Sequence, residues 1–95
     1  MRNEKDKMLE TDLFNQPNIG KDTATKLMMV GINNYAELRA AGAEQAFLRL
    51  QSLDPGACIH LLQALEGAIE GIPKSQLSAD KKQELREFHR LANRK

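Results

Sequence analysis

The chain has 95 residues, 41% of them hydrophobic and 28% charged, with a formal net charge of +1. That length holds one domain with a core of its own and no need of metal or disulfide support, and the mixed composition excludes a disordered or fibrous chain. A lone Cys58 excludes an internal disulfide, and there is neither a signal-like segment nor an apolar run long enough to span a bilayer, so the expectation is a cytoplasmic protein.

Residues 1–8 are mostly charged and are expected to be frayed, leaving a helical domain over 9–93. Met8, Leu9, Leu13 and Phe14 form a short apolar face, which predicts a first helix ending before Pro17. A tight turn through Asn18 and Gly20 leads into a second helix from 20 or 21 to 30. Ala24, Leu27 and Met28 face inward, and Gly31 sits just past its end. The whole reads as a helix-hairpin-helix. Asn34, with Glu37 three residues later, has the spacing of a capping box and predicts a third helix over 35–41 that ends at Gly42. A fourth follows over 43–51, burying Ala46, Phe47 and Leu50.

Asp54-Pro55 reads as an acidic N-cap followed by proline at the first helical position. The helix after it is the longest, reaching Glu70 and stopping at Gly71. Ile59, Leu62, Leu65 and Ile69 form one stripe, widened by Leu61, Ala64 and Ala68, while His60, Gln63, Gly67 and Glu70 form the polar side. A helix so apolar is expected at the centre of the fold. Ser78 caps a last helix to Ala92 with a narrow apolar line of Leu85, Phe88, Leu91 and Ala92. No segment alternates at period two. The prediction is an all-α bundle of five to six helices containing the hairpin.

Charge is unevenly distributed. Residues 35–72 carry five acids against two bases, a net −3, whereas residues 73–95 carry seven bases against three acids, a net +4. A polyanion is drawn to the hairpin or to the C-terminal helix, not to the middle.

Pro17-Asn18-Ile19-Gly20-Lys21, Gly31-Ile32, Glu37-Leu38-Arg39, Gly42-Ala43, Leu48-Arg49-Leu50, Leu65-Glu66-Gly67-Ala68 and Gly71-Ile72 follow one another in an order that resembles the C-terminal domain of the TfoX (Sxy) family. Members of that family are bacterial regulators of natural transformation competence. The resemblance spans residues 13–91 and implies a competence-related regulatory role. Fuller members carry an α/β domain ahead of this module. Here a short charged segment precedes the hairpin, so what that domain contributes is expected to be absent or supplied by another chain.

Two classes of function follow. In the first, the domain is a non-catalytic interaction module whose partner is another protein, such as a transcription regulator or a separate TfoX N-terminal-type domain. Its contact surface is sought at Met28, Met29, Ile32 and Tyr35, because methionine adapts to irregular apolar shapes. In the second, the domain binds DNA directly and without sequence preference. Backbone N–H groups at Asn18, Ile19, Gly20 and Lys21 would meet a phosphate, joined by the ridge of Lys82, Arg86, Arg90 and Arg94 on the last helix. Asp22 opposes that second reading from the first turn, and Glu84 and Glu87 dilute the ridge. Crowding by Asp22, Asp54 or Glu66 favours protein contact, whereas a ridge and hairpin opening on one face favour DNA.

Cys58, His60 and His89 do not have metal-ligand spacing, since Cys58 and His60 point apart on a helix and His89 lies in another. No nucleophile has a base beside it. No enzyme activity, cofactor, metal, membrane contact or small-molecule substrate is expected.

Overall fold

The computed structural model describes residues 11–93, which form four α-helices and two 3-10 turns with no strand among the described residues. The all-α class is as expected, but the helices are fewer than the five to six predicted. Part of the difference lies at the start. The first described element is a single 3-10 turn, Asp12–Asn15, begun by Thr11 accepting from the Leu13 N–H and closed by Gln16 N–H donating to the Leu13 carbonyl. Met8 and Leu9 lie outside the described residues. Among the described residues the expected helix-hairpin-helix is a 3-10 turn joined to one helix.

Helix α1, Lys21–Met29, buries Ala24 and Leu27 completely. It ends in a Schellman turn: Gly31 takes φ +89°, and the Ile32 N–H donates back to the Leu27 carbonyl at 2.9 Å. Helix α2, Tyr35–Leu53, starts as its sequence predicts, with the Asn34 side chain accepting from the Glu37 N–H at 2.8 Å. Glu37 reaches one residue further back than a standard capping box, to the Asn33 N–H at 2.7 Å. The first 3-10 turn also props this end, since the Asp12 carboxylate accepts from the Tyr35 N–H.

The predicted third and fourth helices lie within one continuous element, α2, and meet at Gly42, the residue at which the third is expected to end. Its φ of +82° and ψ of +158° fall in a region that is nearly closed to residues with a Cβ. Helical geometry resumes beyond Gly42, so two helical segments join at a kink where the sequence ends one helix and begins the next.

Asp54 does not start a helix. It ends α2, its N–H donating to the Leu50 carbonyl. Its carboxylate accepts from the Gly56 N–H at 3.1 Å and its carbonyl from the Ala57 N–H at 2.9 Å. Asp-Pro-Gly here is a tight turn, and helix α3, Ile59–Glu70, begins only after Cys58. Gly71, at φ +76°, and Ile72 repeat the Schellman closure at its end.

A second 3-10 turn, Lys74–Gln76, leads to helix α4, Ala79–Ala92, capped by Ser78 accepting from the Lys81 N–H at 3.0 Å. As expected, α3 is central: it packs against α2, α4 and the second 3-10 turn. Phe47, Leu13, Leu27, Leu38, Leu62, Leu65 and Leu85 are buried at the middle, with no buried polar side chain among the described residues. Leu91, expected on the inner line of α4, is 49% exposed.

A candidate interaction surface around the hairpin turn

The turn before α1 is organised by Asn18, which holds φ +68°. Asparagine tolerates this left-handed conformation better than most side chains. Its amide nitrogen donates to the Ile72 carbonyl at 3.0 Å and to the Ala64 carbonyl at 3.4 Å. Its amide oxygen accepts from the Lys74 N–H at 3.1 Å. One side chain thus ties the turn to α3 and to the segment leaving it.

Gly67 makes that contact possible. It was assigned by spacing to the polar side of α3, yet it is buried. A Cβ there would lie 2.5 Å from the Asn18 amide nitrogen and 2.8 Å from the Ile72 carbonyl oxygen. A glycine inside a helical pattern often marks such a close approach, which is the one signal the sequence held for it.

Of the predicted phosphate cradle, Ile19 is only 6% exposed and belongs to the core. Its side chain is unavailable to a ligand, and the Asn18 side chain is committed within the fold. Gly20 and Lys21 are exposed, and nothing lies within 4 Å of where a Gly20 Cβ would stand. Asp22 pairs with Lys26 at 3.1 Å one helical turn on. On that side of α1 a cleft of 220 Å³ is bordered by Asp22, Lys26, Asp54 and Cys58.

The ridge on α4 is not uniform. Lys82 Nζ donates to the Ser75 carbonyl at 3.3 Å, and Arg86 donates to Gln83 Oε1 at 3.0 Å. Arg90 forks onto the Glu87 carboxylate. That pairing holds the Glu87 carboxyl below its ordinary range and raises Arg90 further. Arg94 lies outside the described residues. Because Ser75 follows Lys74, the start of the ridge sits beside the hairpin turn, which spacing along the chain did not indicate.

Acidic groups gather on the other flank of α4. Lys81 Nζ meets Glu84 Oε2 at 2.6 Å, chiefly through which its own affinity for a proton rises. Glu66 of α3 is pushed up to about 7, first by burial and then by its hydrogen bond with Glu70, with Lys81 opposing. Glu66, Lys81 and Glu84 line a shallow depression of 270 Å³ beside the Gly42 kink, with Glu44 on its rim.

The predicted protein-contact residues separate in the fold. Met29 is 67% exposed at the end of α1, while Met28 is half-buried against the core. Ile32 is 1% exposed, so its side chain cannot form a surface. Tyr35 is half-buried, and its hydroxyl donates to the Ile69 carbonyl at 2.6 Å, with Arg39 stacked over its ring. Both were drawn inward because the Schellman turn and the α2 cap swing this segment back onto the core. Cys58 and His60 are exposed, and His89 packs edge-on against Phe47. Among the described residues no group of three or more His, Cys, Asp or Glu side chains is placed to hold a metal ion. No described helix is long and apolar enough to cross a membrane.

The family described as the TfoX C-terminal domain matches residues 9–89 of the chain. An uncharacterized protein from Listeria monocytogenes, solved in a triclinic crystal form, is 42% identical. The match covers 83% of this chain and 90% of the other, with a TM-score of 0.82. A protein of unknown function from the same organism, in a tetragonal form, is 41% identical over 84% of this chain and 99% of its own, again with a TM-score of 0.82. No curated protein matches the chain.

Proposed function

The chain belongs to the TfoX C-terminal domain family, and from that membership we propose that it is a non-catalytic helical interaction module related to regulators of natural competence. It acts in the cytoplasm, mainly through protein contacts, with no cofactor and no small-molecule substrate. The observation that carries the reading is Met29: a large, flexible apolar side chain held 67% exposed at the tip of α1. Methionine in such a place fits an irregular apolar partner surface. The adjoining Met28 side chain is seated against the core and fixes the tip.

The partner is another protein, either a transcription regulator or a separate TfoX N-terminal-type domain. The test is a pull-down in which the wild-type chain and Met29→Asp are offered the same set of purified candidates, that domain included. Folding of the variant is checked by circular dichroism. Recovery of a candidate by wild type and its loss with a folded Met29→Asp supports the reading. Unchanged recovery rejects this surface.

A further inference from the structure

We propose that Lys21, Lys74, Lys82 and Arg86 form one cationic surface that takes the phosphate backbone of nucleic acid without reading its sequence. The inference goes beyond protein contact and is independent of it, since Met29 and Lys21 stand at opposite ends of α1.

The surface is assembled from three elements by two hydrogen bonds. Asn18 Oδ1 accepts from the Lys74 N–H at 3.1 Å, which pins the second 3-10 turn against the turn that opens α1. Lys82 Nζ donates to the carbonyl of Ser75 at 3.3 Å, which brings the first turn of α4 to the same place. Lys21 follows Asn18 by three residues, and Arg86 follows Lys82 by one helical turn. Lys74 and the start of the α4 ridge, Lys82 and Arg86, are thereby brought to the turn that carries Lys21, more than fifty residues earlier in the chain.

Among the described residues no acid neutralises them. Lys21 and Lys74 are exposed and form no ion pair among the described residues, and Lys82 and Arg86 bond only to uncharged oxygens. The nearby acids are otherwise engaged or turned away. Asp22 is paired with Lys26. Asp80, Glu84 and Glu87 recur at i, i+4 and i+7 on a separate stripe of α4, where Glu84 and Glu87 hold Lys81 and Arg90. Arg90 is thereby withdrawn from the ridge, and Lys74, absent from it, takes its place. Asn18 acts through Lys74 and is a positioning residue rather than a contact.

Four phosphate contacts give a slope of log affinity against log salt of roughly −3 to −4, a loss of roughly 100-fold between 50 and 200 mM salt. The test is a fluorescence-anisotropy titration of the full chain against a mixed-sequence DNA duplex over that range. Lys74→Gln with Lys82→Gln is expected to shrink the slope by about 2. Arg49→Gln, which removes one charge near the other end of α1, is expected to leave slope and affinity unchanged. No binding at 50 mM salt overturns the proposal, as does an unchanged slope in the folded double variant. Equal affinity for polyglutamate of matching charge overturns the assignment to phosphate.

Discussion

Asn18 and Gly67 are 49 residues apart in sequence and close enough in the fold that a methyl group on residue 67 would lie 2.5 Å from the Asn18 amide nitrogen. The hairpin turn is thus keyed into α3 by a side chain that fits only where another is missing. Two of the segments by which the chain resembles its family, Asn18 with Gly20 and Glu66 with Gly67, are parts of one contact.

Gly67→Ala is expected to destabilise the domain, although alanine is ordinarily the better helix residue. Two of the neighbours, the Ile72 carbonyl and the Lys74 Cα, are backbone, and the third, the end of the Asn18 side chain, is held by three hydrogen bonds. Overpacking of this kind costs about 1–3 kcal/mol, so the melting temperature should fall by roughly 5–15 °C for a domain of this size. An unchanged or higher melting temperature would show that the turn yields freely.

Asn18→Ala loses three hydrogen bonds and puts alanine in a left-handed conformation. About 2–3 kcal/mol is the expected loss. Asn18→Gly keeps the conformation and should recover part of it, by about 1 kcal/mol. Urea denaturation of the three proteins separates the contributions, and equal losses in both variants would leave no role for the backbone conformation.

The pH dependence of stability should carry the mark of Glu66, whose carboxyl is pushed up to about 7 in the fold against an ordinary 4.5. The folded state then holds that proton more tightly than the unfolded chain. The stabilisation is fully present below pH 4.5 and is lost as pH rises through about 7. Glu66 is only partly buried and water screens it, so the effect should be on the order of 1 kcal/mol. Glu66→Gln should flatten this decline and be the more stable protein at pH 8, as measured by chemical denaturation at several pH values. A parallel decline in both proteins would remove Glu66 as its cause.

Gly20 and Gly42 should respond in opposite ways to the same substitution. Gly20 caps α1 with an ordinary extended conformation, no side-chain bond and open space around it. Gly20→Ser supplies a capping oxygen and should stabilise by a few tenths of a kcal/mol, up to about 0.5. Gly42 also has open space, but its φ of +82° and ψ of +158° exclude a Cβ. Gly42→Ser should cost about 1–3 kcal/mol. Thermal melts of the pair decide whether the kink in α2 is obligatory.

The local grammar of the chain was legible wherever a hydrogen bond closes within five residues. Asn34, Ser78, Gly31 and Gly71 mark helix ends that their own sequence neighbourhoods specify, since a cap and its target lie in the same turn. Asp54 shows where this grammar is ambiguous. An aspartate before proline has the same acceptors whether it opens a helix or a tight turn, and the Gly56 and Ala57 N–H groups claimed them first. Leu62 and Leu65 announced a central helix, but Gly67 read as polar because periodicity records a missing side chain as a non-apolar one.

By itself the sequence determined the helical class, most helix ends, the apolar core stripe and the family, because each depends on composition or on neighbours within a few positions. The tertiary structure alone decided that Ile19 and Ile32 are core and that Asn18 is a clamp. It alone brought Lys74 and Lys82 to the hairpin, and Glu66 to a site where burial and Glu70 hold its proton. Those properties arise from contacts between segments tens of residues apart, and no local pattern encodes which distant surface will arrive.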